Sequence, residues 1–128
     1  MIVPLVLARC VDMFESWKQL DMFESTVLNK YQEKSWSFAL DTAKNSAYLY
    51  TGLAGEVGEL CSLFAKSTRD KTCVSHGDFV KEAGDCLWFL AALCTYHGVS
   101  LEDVAEANIQ KLQGRKERNT IGGSGNDR

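Results

Sequence analysis

Two segments of this 128-residue chain carry apolar residues at intervals of three or four, the spacing that gives an α-helix one apolar face. The apolar stripe of the first segment, residues 50–66, consists of Leu53, Val57, Leu60 and Phe64. That of the second segment, residues 78–97, consists of Phe79, Ala83, Cys86, Leu90 and Leu93. Residues 25–49 and the segment after Ser100 also have helical patterns, whereas residues 67–77 are polar and predict a loop. No strand pattern exceeds a few residues, so we predict an all-α protein, most simply a four-helix bundle.

Local signals predict where the later helices begin and end. Asp78 suits the N-cap of the third helix, and Gly98 suits the position just past its end. Ser100 and Asp103 have the spacing of a capping box, which predicts that the fourth helix begins after Ser100.

Length and composition limit the class of protein. A chain of 128 residues with 45% apolar residues can form one domain with a core. We expect an N-terminal extension over residues 1–24, one domain over 25–118 and a flexible Gly-rich tail over 119–128. The net charge of −3 argues against binding a nucleic-acid polymer, which normally requires a basic patch.

Cysteine usage and hydropathy predict the compartment. The five cysteines are odd in number and include no C-x-x-C pair, which favours a reducing cytoplasm without disulfides or a zinc site. The apolar run at residues 2–8 is interrupted by Pro4 and is too short to span a bilayer. We therefore predict a cytoplasmic protein that does not interact with membranes.

Two acidic pairs share one spacing and one helical register. Glu56 and Glu59 are three residues apart, as are Glu82 and Asp85, so each pair lies on one helix face. Each acid directly precedes a residue of the apolar stripe, so packing the two stripes together brings both pairs to the same edge of the core. Converging carboxylates repel one another unless a cation lies among them, which points to a hard divalent metal and to phosphate chemistry. The alternative is ordinary solvated helix charge.

The motifs around these acids resemble a known family. They are GLAGEVGEL at residues 52–60, EAGDCLWFL at 82–90, LEDVA at 101–105 and NIQKLQGR at 108–115. Together they resemble the MazG-like all-α nucleoside triphosphate pyrophosphohydrolases, whose relatives include the dCTP pyrophosphatases, the dimeric dUTPases and the phosphoribosyl-ATP pyrophosphohydrolases. The resemblance covers about residues 36–118.

The resemblance implies hydrolysis of nucleoside triphosphates between the α and β phosphates, releasing a nucleoside monophosphate and pyrophosphate, as in house-cleaning of nucleotide pools. It further implies that the metal-binding and catalytic residues are Glu56, Glu59, Glu82 and Asp85. They would hold Mg²⁺, for which Mn²⁺ is a possible substitute. A carboxylate that is not fully used as a ligand would accept a proton from the attacking water. Which one does so is open, as are the preferred base and sugar.

Six further residues are substrate-binding candidates. Lys111 and Arg115 lie one turn apart on one helix face and suit a polyphosphate, although pairing with glutamates or simple exposure would also explain them. Asn108 would contact the ligand or satisfy a polar group of the core. Lys66 is a further phosphate contact, and Trp36 and Phe89 are candidates for the base pocket, although aromatic residues at helical spacing more often belong to the core.

Two other functions compete with this prediction. A di-iron carboxylate bundle requires Glu-x-x-His motifs, and neither histidine follows a glutamate at that spacing. A non-enzymatic helical interaction module explains the amphipathic helices but leaves the matched acids unexplained.

Trp88 and Leu87 flank the predicted stripe, and either an interface or simple exposure would account for Trp88. We also expect a homodimer or homotetramer, because four helices of this length cannot cover all their apolar surface.

Overall fold

The computed structural model describes residues 25–125, most of which lie in four helices. Their bounds are α1 Ser25–Trp36, α2 Ser46–Asp70, α3 His76–Tyr96 and α4 Leu101–Glu117, with a 3-10 turn at Asp41–Ala43. No strand occurs in these residues, which confirms the predicted all-α fold. None of the helices described combines the length and apolar character needed to cross a membrane. The predicted N-terminal extension lies outside the described residues.

The prediction of one helix over residues 25–49 is wrong beyond Trp36, because α1 ends at that residue. Leu40 has an extended backbone with ψ of 147°, and Asn45 starts a new helix because its side chain accepts a hydrogen bond from the Tyr48 amide at 2.9 Å. Asparagine is among the best N-cap residues, since its side chain satisfies an amide that has no partner inside the helix. As a result α2 begins four residues earlier than predicted, and it continues past Lys66 to Asp70.

The sequence predicted two of the three residues that mark the ends of α3 and α4 correctly. The N-cap of α3 is Ser75, whose hydroxyl accepts a hydrogen bond from the Asp78 amide at 3.3 Å, so the prediction of Asp78 as the N-cap is wrong by one turn. Gly98 adopts a left-handed conformation with φ of 67° just past the end of α3, as predicted. Ser100 accepts a hydrogen bond from the Asp103 amide at 2.9 Å and caps α4, also as predicted.

The central helix is α3, which packs against both α2 and α1, while α1 also packs against α4. Two hydrophobic clusters meet on it. The first consists of the buried residues Leu49, Phe89, Ala92 and Leu93, with Trp36, Leu53 and Trp88 packed against them. The second consists of the buried residues Ala91, Cys94 and Leu101, with Leu28 and Tyr31 packed against them. Because α3 has partners on two sides, it buries the consecutive residues 91–94 rather than a single stripe.

The predicted stripes are therefore only partly buried. In α3, Leu93 is buried but Phe79 and Leu90 are exposed. In α2, Leu53 is half-buried, whereas Val57 and Phe64 are exposed within this chain.

Two side chains fasten α1 to the rest of the bundle. Trp88 is half-buried, packs against the first cluster and donates a hydrogen bond from its indole to the Ser35 carbonyl at 3.1 Å. This intramolecular contact excludes simple exposure as the explanation for Trp88. The buried Gln32 amide donates to the Thr95 hydroxyl and the Val99 carbonyl and accepts from the Leu101 amide, at 3.0, 2.9 and 2.6 Å.

Candidate metal centre

The acidic pairs lie on the two helices that pack together most extensively, α2 and α3. Tyr50, near the start of α2, reaches His97 at the end of α3 with a hydroxyl-to-Nε2 distance of 2.8 Å. Glu59, farther along α2, lies near Glu82, which comes early in α3. The two helices therefore run antiparallel, and the carboxylates of one face those of the other.

Three of the four predicted acids converge. One carboxylate oxygen from each of Glu56, Glu59 and Glu82 lies within 4.8 Å of the other two. Glu56 and Glu82 are half-buried and Glu59 is exposed, so the acid cluster lies at the edge of the core and is open to solvent. Asp85 is exposed and lies outside this closest group, although its charge acts on Glu56.

The electrostatics of the cluster are those of like charges held together. Burial raises the pKa of Glu56, and the charges of Asp85, Glu59 and Glu82 raise it further, in that order. Among residues 25–125, the ion pairs involve Asp41, Asp70 and Asp78, and none of them neutralises an acid of the cluster. Within the described part of the chain, the carboxylates therefore have no salt-bridge partner, so binding a metal ion would relieve their repulsion.

Two neighbours of the cluster were not predicted as part of the site. Burial raises the pKa of the Cys86 thiol, and the Glu56 and Asp85 charges add to the effect. Burial and the Asp85 charge likewise raise the pKa of Tyr31. Cys86 directly follows Asp85, so its closeness was available from the sequence. Tyr31 belongs to α1, and no local pattern indicated that its phenol would come within reach of Asp85.

The donor set fits the metal that the sequence suggested. Carboxylate oxygens are the ligands that Mg²⁺ and Mn²⁺ prefer, whereas zinc and copper favour nitrogen and sulfur. Magnesium is usually bound through one or two carboxylates together with water and phosphate oxygens. A partly exposed cluster of three carboxylates meets that requirement, because it leaves one side open for water and a phosphorylated substrate.

The two aromatic candidates lie together. Trp36 is half-buried and packs against the first hydrophobic cluster, with the Lys44 ammonium 5.6 Å from its ring centroid. Phe89 is a member of that cluster and is only 7% exposed. Its ring lies 4.9 Å from that of Trp88 and 5.7 Å from that of Tyr48, measured between centroids. In α3, Phe89 follows Asp85 by one helical turn, so the cluster of aromatic residues adjoins the acids.

The polar candidates are more widely distributed. Lys66 is exposed on α2 and lines a depression with Ser67 and Asp78, about 10 Å along the helix axis from Glu59. Asn108 and Lys111 are exposed on α4 and border an apolar groove of about 640 Å³. The exposure of Asn108 excludes a role as a buried core residue. No hydrogen bond or ion pair within residues 25–125 joins Lys66, Asn108 or Lys111 to the acid cluster.

Arg115 is 8% exposed and lies beneath the C-terminal segment. Its guanidinium donates a hydrogen bond from Nη2 to the Gly125 carbonyl at 3.1 Å. The Thr120 amide in turn donates to the Arg115 carbonyl at 2.8 Å. Thr120 and Gly125, in the segment predicted as a flexible tail, thus both form hydrogen bonds with Arg115 of α4.

Comparison with known proteins assigns the family. The family model for the MazG nucleotide pyrophosphohydrolase domain matches residues 44–120, which include all four acids. The gene 37 protein of Mycobacterium phage L5 is 38% identical over 92 residues, which cover 69% of this chain and 81% of the phage protein. No solved structure gave a significant match. The match over residues 44–120 spans the acid cluster and most of the helical bundle, and on this evidence the chain belongs to the MazG nucleotide pyrophosphohydrolase family.

Proposed function

We propose that this protein hydrolyses nucleoside triphosphates, in the ribo or deoxy form, between the α and β phosphates. Water is added across that phosphoanhydride bond, and the products are a nucleoside monophosphate and pyrophosphate. The observation that carries the proposal is the convergence of Glu56, Glu59 and Glu82 inside the segment that matches the MazG domain. Membership of the family supports nucleotide pyrophosphohydrolase activity, to which the proposal adds the bond cleaved, the metal and the roles of the residues.

In this proposal Glu56, Glu59 and Glu82 hold Mg²⁺, or Mn²⁺ in its place, with Asp85 completing the set. When bound, the metal supplies positive charge that neutralises the triphosphate and makes water more acidic. The carboxylates orient the water and substrate from one side of the α2–α3 interface. A carboxylate that is not fully used as a ligand would accept the proton of the attacking water.

Substrate recognition would fall to the remaining candidates. Trp36 and Phe89, which share the first hydrophobic cluster, are proposed to contact the base. The proposed phosphate ligands are the polar and basic candidates Lys66, Asn108, Lys111 and Arg115. The distance of Lys66 from Glu59 along α2 suits contact with an extended polyphosphate rather than with the metal.

We further propose that the protein is a homodimer or homotetramer in the cytoplasm and that it acts in nucleotide-pool house-cleaning. The apolar groove on α3 and α4 supports self-association, because its side chains Leu87, Leu90 and Val104 are each about 40% exposed. No interaction with a nucleic-acid polymer or a membrane is proposed.

Pyrophosphate release from a panel of nucleoside triphosphates, measured with Mg²⁺ and again with EDTA, tests the function. We expect turnover that EDTA abolishes, and we expect Glu59→Gln to lose it by orders of magnitude. The matched control is Glu106→Gln, which neutralises an exposed glutamate of α4 and should retain activity. Release of orthophosphate in place of pyrophosphate, or turnover that is unchanged in EDTA, would contradict the proposal.

A further inference from the structure

One close contact between α2 and α3 occurs at a glycine. A Cβ atom added at Gly52 would lie closer than 3.0 Å to three carbons of the Phe89 ring, a separation that real Cβ atoms essentially never show. The ring therefore lies directly on the α2 backbone. It has little freedom to move away, because Phe89 is buried against Leu49 and its ring also contacts the Trp88 ring edge-on.

This contact lies beside the carboxylates on both helices. Gly52 precedes Glu56 by four residues on α2, and Phe89 follows Asp85 by four residues on α3. Residues four apart on a helix are neighbours on one face, so the glycine and the ring are one turn away from the acids that they adjoin. The separation of the two helices at Gly52 consequently affects the distance between the acids of α2 and those of α3.

We infer that Gly52 and Phe89 together set the spacing between α2 and α3 at the acid cluster, and so act as positioning residues for the divalent metal. The inference rests on the proposed function, which assigns the metal to these acids. Packed helix axes are normally 8–10 Å apart, with the side chains at the contact determining the value. A glycine packed against the edge of the ring permits close approach, and any larger side chain at position 52 would separate Glu56 and Glu59 from Glu82.

The choice of metal provides a specific signature. Mg²⁺ requires near-ideal octahedral geometry at about 2.0–2.1 Å, whereas Ca²⁺ accepts 2.3–2.6 Å and irregular geometry. Moving the acids of α2 and α3 apart should therefore weaken Mg²⁺ binding more than Ca²⁺ binding. A general loss of stability would weaken both metals alike.

The experiment compares Gly52→Ala with Gly55→Ala, using Mg²⁺ alone and Ca²⁺ alone as probes in calorimetric titrations. Both variants place alanine in the interior of α2 and so gain equally in helix propensity, but a Cβ at Gly55 meets no atom within 4 Å. For Gly52→Ala we expect Mg²⁺ affinity to fall by about tenfold, the scale for disturbing groups that orient metal ligands, with a smaller loss for Ca²⁺. Gly55→Ala should bind both metals like the wild type. Nucleotide is absent, so a contact between Phe89 and the base does not affect the result.

Adding Phe89→Leu to Gly52→Ala removes the ring edge that the new methyl group meets, and should restore most of the lost Mg²⁺ affinity. Unchanged Mg²⁺ binding by Gly52→Ala, or an equal loss for both metals, would overturn the inference while leaving the proposed function intact. If Gly52→Ala does not fold, the double variant decides, because a folded double variant that fails to bind Mg²⁺ also overturns it. A wild-type protein that binds no Mg²⁺ would overturn both proposals.

Discussion

Burial raises the pKa of Glu56 on α2, and the charge of Asp85 on α3 raises it too. The effect of Asp85 on this pKa is larger than that of Glu59 or of Glu82. Asp85 thus influences Glu56 across the helix interface, although it lies outside the group of carboxylates that approach within 4.8 Å. The protonation of Glu56 therefore depends on the charges of the other three acids.

The first prediction concerns this pair. Asp85→Asn removes the largest charge effect on Glu56, so the pKa of Glu56 should move down toward its ordinary value of 4.5. Titration of the Glu56 side-chain carbon by NMR in metal-free protein would measure the change. Asp103→Asn, on the first turn of α4, serves as the control and should leave the Glu56 titration where it is.

The second prediction concerns the pH dependence of the metal-free fold. Because the pKa of Glu56 is raised on folding, the native state binds this proton more tightly than the unfolded state does. The contribution of Glu56 to stability is therefore fully present below its pKa in the unfolded chain, about 4.5. It is lost as the pH rises through the pKa of Glu56 in the folded protein. In thermal melts in EDTA across this range, Glu56→Gln should remove the contribution and Glu106→Gln should keep it. Identical pH profiles for wild type and Glu56→Gln would contradict the assignment.

The third prediction separates a metal site from a structural charge cluster by the sign of a stability change. Glu59→Gln and Glu82→Gln each relieve repulsion among the acids, so in EDTA they should leave stability unchanged or raise it by about 1 kcal/mol. The stabilisation gained from added Mg²⁺ should shrink, since a ligand that binds only the folded state stabilises it according to its affinity. Melting temperatures in EDTA and in excess Mg²⁺ check both effects. Variants that melt well below the wild type in EDTA would identify these acids as structural.

The fourth prediction concerns how α1 is held. Gln32→Leu keeps the side chain's approximate volume but leaves the Leu101 amide and the Val99 carbonyl without their Gln32 partner. Leaving a buried donor or acceptor without a hydrogen bond costs about 1–3 kcal/mol. With two such groups affected at the turn between α3 and α4, the free energy of unfolding should fall by about 3 kcal/mol. Urea denaturation measures it, with Gln110→Leu at an exposed position of α4 as the control. A loss no larger than that of the control would show that the Gln32 hydrogen bonds are replaced by water.

The fifth prediction concerns assembly. Light scattering at micromolar concentration should give a mass at least twice the 14.2 kDa of the chain, because the groove between α3 and α4 exposes apolar side chains. Leu90→Glu, which places a charge in this groove, should lower the mass. Leu40→Glu lies between α1 and α2 at a more exposed site and should leave it unchanged. A monomeric wild type would exclude self-association under those conditions.

Some features of this protein were predictable because they depend on residues close in sequence. The helical class, the left-handed Gly98 and the cap at Ser100 follow from local periodicity and from hydrogen bonds that span three residues. The end of α1 at Trp36 was missed because residues 37–45 contain neither proline nor glycine, and the cap at Asn45 lies inside a segment whose pattern also permits helix.

The amino-acid sequence by itself determined that four carboxylates occupy two helices in matching register, since spacing along a helix sets the face on which a side chain lies. Only the tertiary structure decided which of them converge, because the distance between α2 and α3 depends on packing between residues remote in sequence. Phe89 lies on the backbone of Gly52, Tyr31 comes within electrostatic reach of Asp85, and Trp88 packs inside the chain. Each of these contacts joins different helices, so no pattern within one helix contains it.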